Sequence, residues 1–555
     1  MPRTLALLAA AGVAVGSLLI MRQLRQRRLA ASNTLTISDD ERQTLDSTTD
    51  DDARVALLKV LFAQLHGTTP THIAKAGGRV NLIGEHVDYP DVQFSGDPKV
   101  HLFSLGGAIQ NSYMVVASKR TDGQLVLCHT SIGQVFSVAL ADLDRFESDA
   151  VADRQRGTPM AQRATPVWAM HTLGAVREMI SAGVEPSGGL NLLLTSNVPH
   201  GAGMSNSAAN CVAAGLVFHA MYPRLNLGSE LALVTFARQA EWSPFVGGTC
   251  GWLDQLLIVC SKESTLTKID YADKGIEYFA SELPPSMQFV AFNTNVPHVL
   301  AESDYAHRVK ELTIGIQFLT AMRNGANSGG PNLTLGTLNA LLQAVDPATP
   351  GNAPIELSSI GGGALLRSGL VRKEEERSEL TAAELARIKK AVETTFKVPS
   401  ELPMHRARSP LQSFAIVLRR MRHQKMSSLL VPLAGEAAKR GDAALFGLLL
   451  DLEGASLRMS GDFMITGDNG AQDAMLDCAL AAGKALGLPV HGRMLGGGGG
   501  GNVLLFVDTS DASKRRQWEV DTVTAYNAWA EAKFPGEGIQ ATVIVPSISA
   551  GARLL

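Results

Sequence analysis

Residues 192–210, LLLTSNVPHGAGMSNSAAN, join an apolar strand-like run to a helical one through Pro199, His200, Gly201, Ala202 and Gly203. Glycines let the backbone approach an anion closely and take up positive φ. The free N–H groups of a helix start, together with its dipole, favour phosphate at that point. Ser205, Asn206 and Ser207 fall in the first helical turn, and the Ser207 hydroxyl can offer an oxygen to Mg2+. A strand–turn–helix with an ordinary Ser/Asn cap is the alternative; three small polar residues after the glycines weaken it. No Gly-Lys-Ser/Thr follows, so this is not a Walker A loop. A second stretch, 77–90 (GGRVNLIGEHVDYP), crowds Arg79, Asn81, Glu85, His86, Asp88 and Tyr89 around Val80, Leu82 and Ile83. Neither a turn nor a sheet surface needs so many polar groups, so the question is what they hold. Taken singly, each candidate has a plainer explanation. His86 fits a structural histidine, Asp254 in CGWLDQLLIVC fits a helix N-cap, and Glu241 in FARQAEWSP fits a solvated helix end.

The elements that must carry these groups belong to a chain of 555 residues, 45% hydrophobic and 19% charged. That length exceeds one core and implies two domains. A net charge of −3 offers no basic face, so nucleic acid is not expected as a partner. Five cysteines without CxxC spacing read as reduced thiols rather than a disulfide framework or zinc site. Residues 4–21 are uncharged and mostly apolar, and as a helix would span about 27 Å. Arg22, Arg25, Arg27 and Arg28 follow, while only Arg3 precedes. Residues 1–28 therefore read as a single hydrophobic anchor helix with the body of the chain on the cytoplasmic side. A cleaved signal peptide, the rival, carries its charges before the apolar run. The acidic stretch 29–52 reads as a linker. Residues 53–66 show helical periodicity, and MVVASKR, LVLCHT and GLNLLLTS read as strands before helices over 204–221 and 229–242. Another buried strand is expected over 287–295. Residues 325–366 read as loop, residues 381–395, 409–440 and 470–487 as helices, and 502–508 as a strand after a glycine run.

Five motifs, in order, carry a resemblance. GRVNLIGEHVDY (78–89) resembles the galactokinase signature, and PHGAGMSNSA (199–208) the phosphate-binding motif of the GHMP kinases. CGWLDQ (250–255) and FNTNVPHVLAESDYAHR (292–308) are similar to two further galactokinase segments, and GRMLGGGGGGNV (492–503) to the third glycine-rich motif. The resemblance implies an α+β, two-lobed GHMP kinase fold. Its N-terminal lobe (53–295) would be like ribosomal protein S5 domain 2, and its C-terminal lobe (296–555) ferredoxin-like with an insertion around 325–400. ATP and a galactose-like sugar would meet in the cleft of a monomeric body. Carried over residue by residue, the resemblance makes Asp254 and Arg79 catalytic. It gives Arg79, Glu85, His86, Asp88, Gly251, Asp254 and Tyr305 to the sugar. Pro199, Gly201, Ala202, Gly203, Ser205, Asn206, Ser207, Gly497 and Gly498 would hold ATP, and Ser207 and Glu241 Mg2+. Three departures stand out: Gly499 replaces the family's aromatic, Asn206 replaces a serine, and the run after Tyr89 is longer. They leave room for another sugar (N-acetylgalactosamine, galacturonate, arabinose) or for a non-catalytic galactose sensor.

Overall fold

The computed structural model describes residues 34–88, 101–296, 305–324, 334–349, 352–355, 371–378, 380–397, 409–459, 470–498 and 500–555. Strands β1 (His72–Ile83), β2 (Phe103–Lys119), β3 (Gln124–His129), β4 (Val135–Ala139), β5 (Gly189–Ser196), β6 (Leu266–Asp270) and β7 (Gly275–Phe279) build a first sheet. A second contains β8 (Met287–Asn293), β9 (Val490–Met494), β10 (Asn502–Asp508) and β11 (Thr542–Ile544). The short strands β12 (Ile548–Ser549) and β13 (Arg553–Leu554) then return to the first sheet. The first sheet runs β13-β1-β2-β5-β3-β4, with β6 and β12 also on β2 and β7 on β6. The second runs β11-β8-β10-β9, antiparallel throughout.

Period-2 side-chain alternation explains why both sheets are covered twice. On β2, Tyr113, Val115 and Ala117 meet the helices Val167–Ser181, Asn206–Met221, Glu230–Trp242 and Leu253–Cys260, while Met114 and Val116 meet the helix Asp51–His66 through Leu58, Leu61 and Phe62. With both faces buried there, the MVVA run of β2 (114–117) and the LLL run of β5 (192–194) show no polar alternation. Alanines 208, 209, 213 and 214 are fully buried and let the helix Asn206–Met221 lie close on the sheet. In the second sheet, Val290, Phe292, Val503 and Leu505 pack on the helices Ala471–Leu486 and Ala512–Lys533. Ala291, Leu504 and Phe506 pack on the helices Pro410–Arg440 and Ala443–Met459.

Four expectations change in the structure. β8, assigned by sequence to the end of the first lobe, pairs with β10 and β11. An apolar run alone does not say which sheet takes it. The acidic stretch read as a linker folds over Asp39–Ser47 into a helix closed by a Ser38–Glu41 capping box, with Leu35 and Leu45 buried against the first lobe. Within the region read as loop, Leu335–Val345 is a helix capped by Thr334, with Leu338, Leu341, Leu342 and Val345 on its buried side. Finally, the tail crosses back to the first lobe. The anchor over 1–28 lies outside the described residues, and among those described no helix is long and apolar enough to cross a membrane.

Candidate functional site

β5 delivers the phosphate loop. Gly201 and Gly203 take φ values of 65° and 69°, and Ser205, the residue before the helix Asn206–Met221, takes 60°. In that left-handed conformation Ser205 makes no side-chain cap, and its Oγ has no partner among the described residues. The ordinary capped start is therefore not what forms. Asn206 instead ties the loop together: Ser196 Oγ donates to its Oδ1 at 2.8 Å, and its amide lies 3.4 Å from His200 Nδ1. The second glycine run closes on this loop. A Cβ at Gly203 would stand 2.7 Å from the Leu495 carbonyl oxygen, and one at Gly496 2.8 Å from Gly203 Cα. Gly497 and Gly498 occupy the same turn, and Gly499 lies outside the described residues.

Arg79, on β1, couples this loop to the first turn of the helix Leu253–Cys260. Its Nε donates to Asp254 Oδ1 at 2.8 Å, its Nη1 donates to the Gly203 carbonyl, and its backbone N–H donates to Met204 at 3.1 Å. Burial works against the Arg79 charge, yet Asp254, Glu85 and Asp88 together hold its pKa above the ordinary value. Asp254 is not the cap of its helix. That work falls to Asp88, whose Oδ2 accepts from Leu253 N at 2.9 Å. Gly251 stands where any Cβ would fall inside the Asp88 carboxylate and carbonyl. Asp254 is thereby left to Arg79, with a quarter (25%) of its side chain exposed. Burial, with the neighbouring Asp254 and Glu85 charges, raises Asp88 to about 6, against the opposing Leu253 N–H.

Glu241 is buried, not a solvated helix end. Burial raises its pKa to about 7; hydrogen bonding from Ser207, Cys250 and Gln255 acts the other way, and the Asp254 charge adds to the rise. These three partners are all neutral. A buried carboxylate and a hydroxyl facing each other beside a phosphate loop are hard oxygen donors of the kind Mg2+ takes.

The 84–86 segment is gripped from the second lobe. Arg493 on β9 is fully buried, and both its Nη atoms donate to Glu85 Oε2 at 3.1 Å. It also donates to the Asn81, Leu82 and Met494 carbonyls at 2.7, 2.9 and 2.8 Å, and its Nε lies 3.1 Å from Glu453 Oε2. Glu453 Oε1 accepts from the backbone N–H of Gly84 (2.6 Å) and Glu85 (3.1 Å). From the helix Pro410–Arg440, His423 lies 2.9 Å from the Glu85 carbonyl through Nε2 and 3.1 Å from Ser456 Oγ through Nδ1. A carbonyl only accepts, so Nε2 carries the proton; burial, which lowers the ring's pKa to about 4, keeps it neutral. Gln424 reaches the His86 carbonyl at 3.5 Å, and His86 itself is buried at φ 58°.

Sequence reasoning missed these second-lobe partners, because residues hundreds of positions away carry no local signal of their contact. It also missed Tyr271. Its hydroxyl donates to Ser104 Oγ at 2.9 Å, and Ser104 donates to the Gly84 carbonyl at 2.6 Å. Burial, with the Asp88, Asp254 and Glu85 charges, pushes its phenol well up. Tyr305 opens the helix Tyr305–Asn324; its side chain lies outside the described residues.

Comparison with known proteins follows the same lines. Residues 169–262 match the family described as GHMP kinases N terminal domain, and residues 61–93 the galactokinase galactose-binding signature. A galactokinase of Roseiflexus sp. (strain RS-1) is 36% identical over 263 residues, covering 47% of this chain and 58% of that protein. One of Chloroflexus aggregans is 36% identical over 248 residues, covering 44% and 55%. The chain thus spans little more than half the length of these curated relatives. The crystal structure of Lactococcus lactis galactokinase complexed with galactose shares the fold, with a TM-score of 0.60 at 20% identity over 90% of this chain and 100% of that one.

Proposed function

We propose that this chain, which carries the GHMP kinase N-terminal domain and the galactokinase galactose-binding signature, is an ATP-dependent sugar 1-kinase that converts galactose to galactose 1-phosphate. The observation that carries the proposal is the reach of Arg79. One side chain spans from the Asp254 carboxylate to a carbonyl of the phosphate loop, so an acceptor-side base and a phosphate cradle lie one arginine apart.

In this reading Asp254 takes the proton of the anomeric hydroxyl. That oxygen forms its bond to the γ-phosphorus as the bond to the β–γ bridging oxygen breaks, and ADP leaves. Arg79 fixes the orientation of Asp254 and sets positive charge beside the transferring group. The backbone N–H groups from Gly201 to Ser207 receive the phosphates. Ser207 and Glu241 would hold Mg2+, which when bound neutralises phosphate charge. Glu85 and His86 meet sugar hydroxyls, where buried polar groups penalise an epimer that leaves them unpaired. Asp88 gives one oxygen to the helix cap and acts on the sugar site chiefly by seating Gly251 and Asp254. The family resemblance alone gives Tyr305 to the same sugar site.

Phosphorylation assays with ATP and Mg2+ across a sugar panel, with Asp254→Ala beside the unaltered chain, test the proposal. Turnover on galactose, abolished in the variant, is expected. Galactose binding without turnover on any sugar refutes the kinase and leaves a sensor; turnover confined to another sugar refutes galactose. We further propose residues 4–21 as a membrane anchor. Fractionation with and without residues 1–28 tests it, and a full-length chain in the soluble fraction refutes it.

A further inference from the structure

We infer that Arg493 is a positioning residue of the acceptor site, through which the second lobe sets the hydroxyl-reading geometry of the first. The inference rests on the proposed role of Glu85 toward the sugar. Glu85 is buried, and Arg493 holds only its Oε2, by two N–H donors from one planar guanidinium. No described residue donates to Oε1. Two donors on one oxygen pin that oxygen in place and leave the other to meet a hydroxyl.

The same guanidinium also holds the end of β1, the strand that leads to Glu85, through the carbonyls of Asn81 and Leu82. Glu453 holds the following backbone by the opposite charge, taking the N–H groups of Gly84 and Glu85, and Ser427 Oγ donates to it at 3.1 Å. Backbone and side chain of Glu85 are thus both fixed by the second lobe, where β9 leads straight into the glycine run that packs on the phosphate loop. Lysine cannot replace this arginine. A single ammonium provides no planar pair of donors for one oxygen together with three carbonyls.

The test compares Arg493→Lys and Arg493→Met with the unaltered chain. It measures KM for galactose, KM for ATP, kcat, and the affinity of each monodeoxygalactose by calorimetry. The hydroxyl read by Glu85 is the one whose removal no longer weakens binding in Glu85→Gln. Both Arg493 variants are expected to raise KM for galactose by about tenfold or more, leave KM for ATP within about twofold, and flatten the deoxy penalty at that same hydroxyl. A purely structural role would move both KM values together and leave the deoxy profile intact, and that result overturns the inference. Arg493→Met strands two buried carboxylates and can unfold the chain. The double variant Arg493→Met, Glu453→Gln keeps the net charge of the cluster and carries the same readout. If the unaltered chain binds no hexose, the sugar reading itself fails and takes this inference with it. A chain that binds galactose while its Arg493 variants keep the normal profile overturns the inference alone.

Discussion

Gly251→Ala tests whether Asp88 and Gly251 together place Asp254. The added methyl would fall inside both the carboxylate and the carbonyl of Asp88. To regain van der Waals separation the carboxylate would have to retreat by more than about 1 Å. That breaks the 2.9 Å bond from Leu253 N. Losing a helix cap costs about 1 kcal/mol. Leaving a buried acceptor unpaired adds about 1–3 kcal/mol. The expected loss is therefore about 2–4 kcal/mol of unfolding free energy, read by urea titration. The helix that loses its cap is the one that carries Asp254, now 2.8 Å from Arg79. A misplacement of about 1 Å there lowers kcat by about 10²-fold. Asp88→Asn keeps an oxygen that can accept from Leu253 and should fall much less in both assays. If Gly251→Ala keeps kcat within about twofold and loses no stability, Asp88 does not position the helix and the chain of cause is wrong.

Asp254→Asn should lower kcat by about 10²–10⁴ with a small change in galactose affinity; a variant that loses only affinity would remove Asp254 from the proton transfer. Gly203→Ala puts a side chain at φ 69° and 2.7 Å from the Leu495 carbonyl oxygen, so it should raise KM for ATP and spare galactose binding, as kinetics and calorimetry on the same preparation would read. Glu241 supplies a pH dependence. Its folded pKa of about 7 lies above the ordinary 4.5, so its contribution to stability is full below about 4.5 and lost as pH rises through about 7. The amount is on the order of 3 kcal/mol. Without metal, unfolding free energy should fall across that window, and Glu241→Gln should flatten the fall. Mg2+ needs the carboxylate form, so its binding should strengthen as pH rises to 7; the opposite slope refutes Glu241 as a ligand.

Much of the fold could be read in advance. The strands around 114–120, 125–130 and 189–196 bury both faces, so their composition alone marks them, and the helix behind the phosphate loop is small-residue-rich and buried along most of its length. Arg79 and Asp254 do lie together, as the resemblance implied, although 175 positions separate them. What stayed hidden was pairing. β8 has the composition of either sheet, and only its partners β10 and β11 decide between them. Leu335–Val345 is short and lies between glycine- and proline-rich segments, which outweighed its apolar spacing. Asp88 is a polar residue in a polar motif, and nothing local separates a group that touches sugar from one that caps a helix 165 positions away. The grip of Arg493 and Glu453 on residues 81–85 is beyond any local pattern, because apart from the Arg493–Glu85 ion pair it is made of backbone carbonyls and N–H groups that every sequence possesses.

The return of the tail has a consequence for the order of assembly. β13 pairs with β1 at Ala74 and Lys75, and Arg553 meets Asp51 at 2.7 Å. Gly551 and Ala552 donate to the carbonyls of Ser261 and Ile258, at the far end of the helix that carries Asp254 in its first turn. The Arg553–Asp51 contact joins positions 502 apart, and β12 and β13 are synthesised after the whole of the second lobe. During synthesis, then, β1 has an open edge until several hundred later residues exist. Closing it brings together segments of very high sequence separation, a slow step that leaves an unpaired strand edge available for wrong pairing in the meantime.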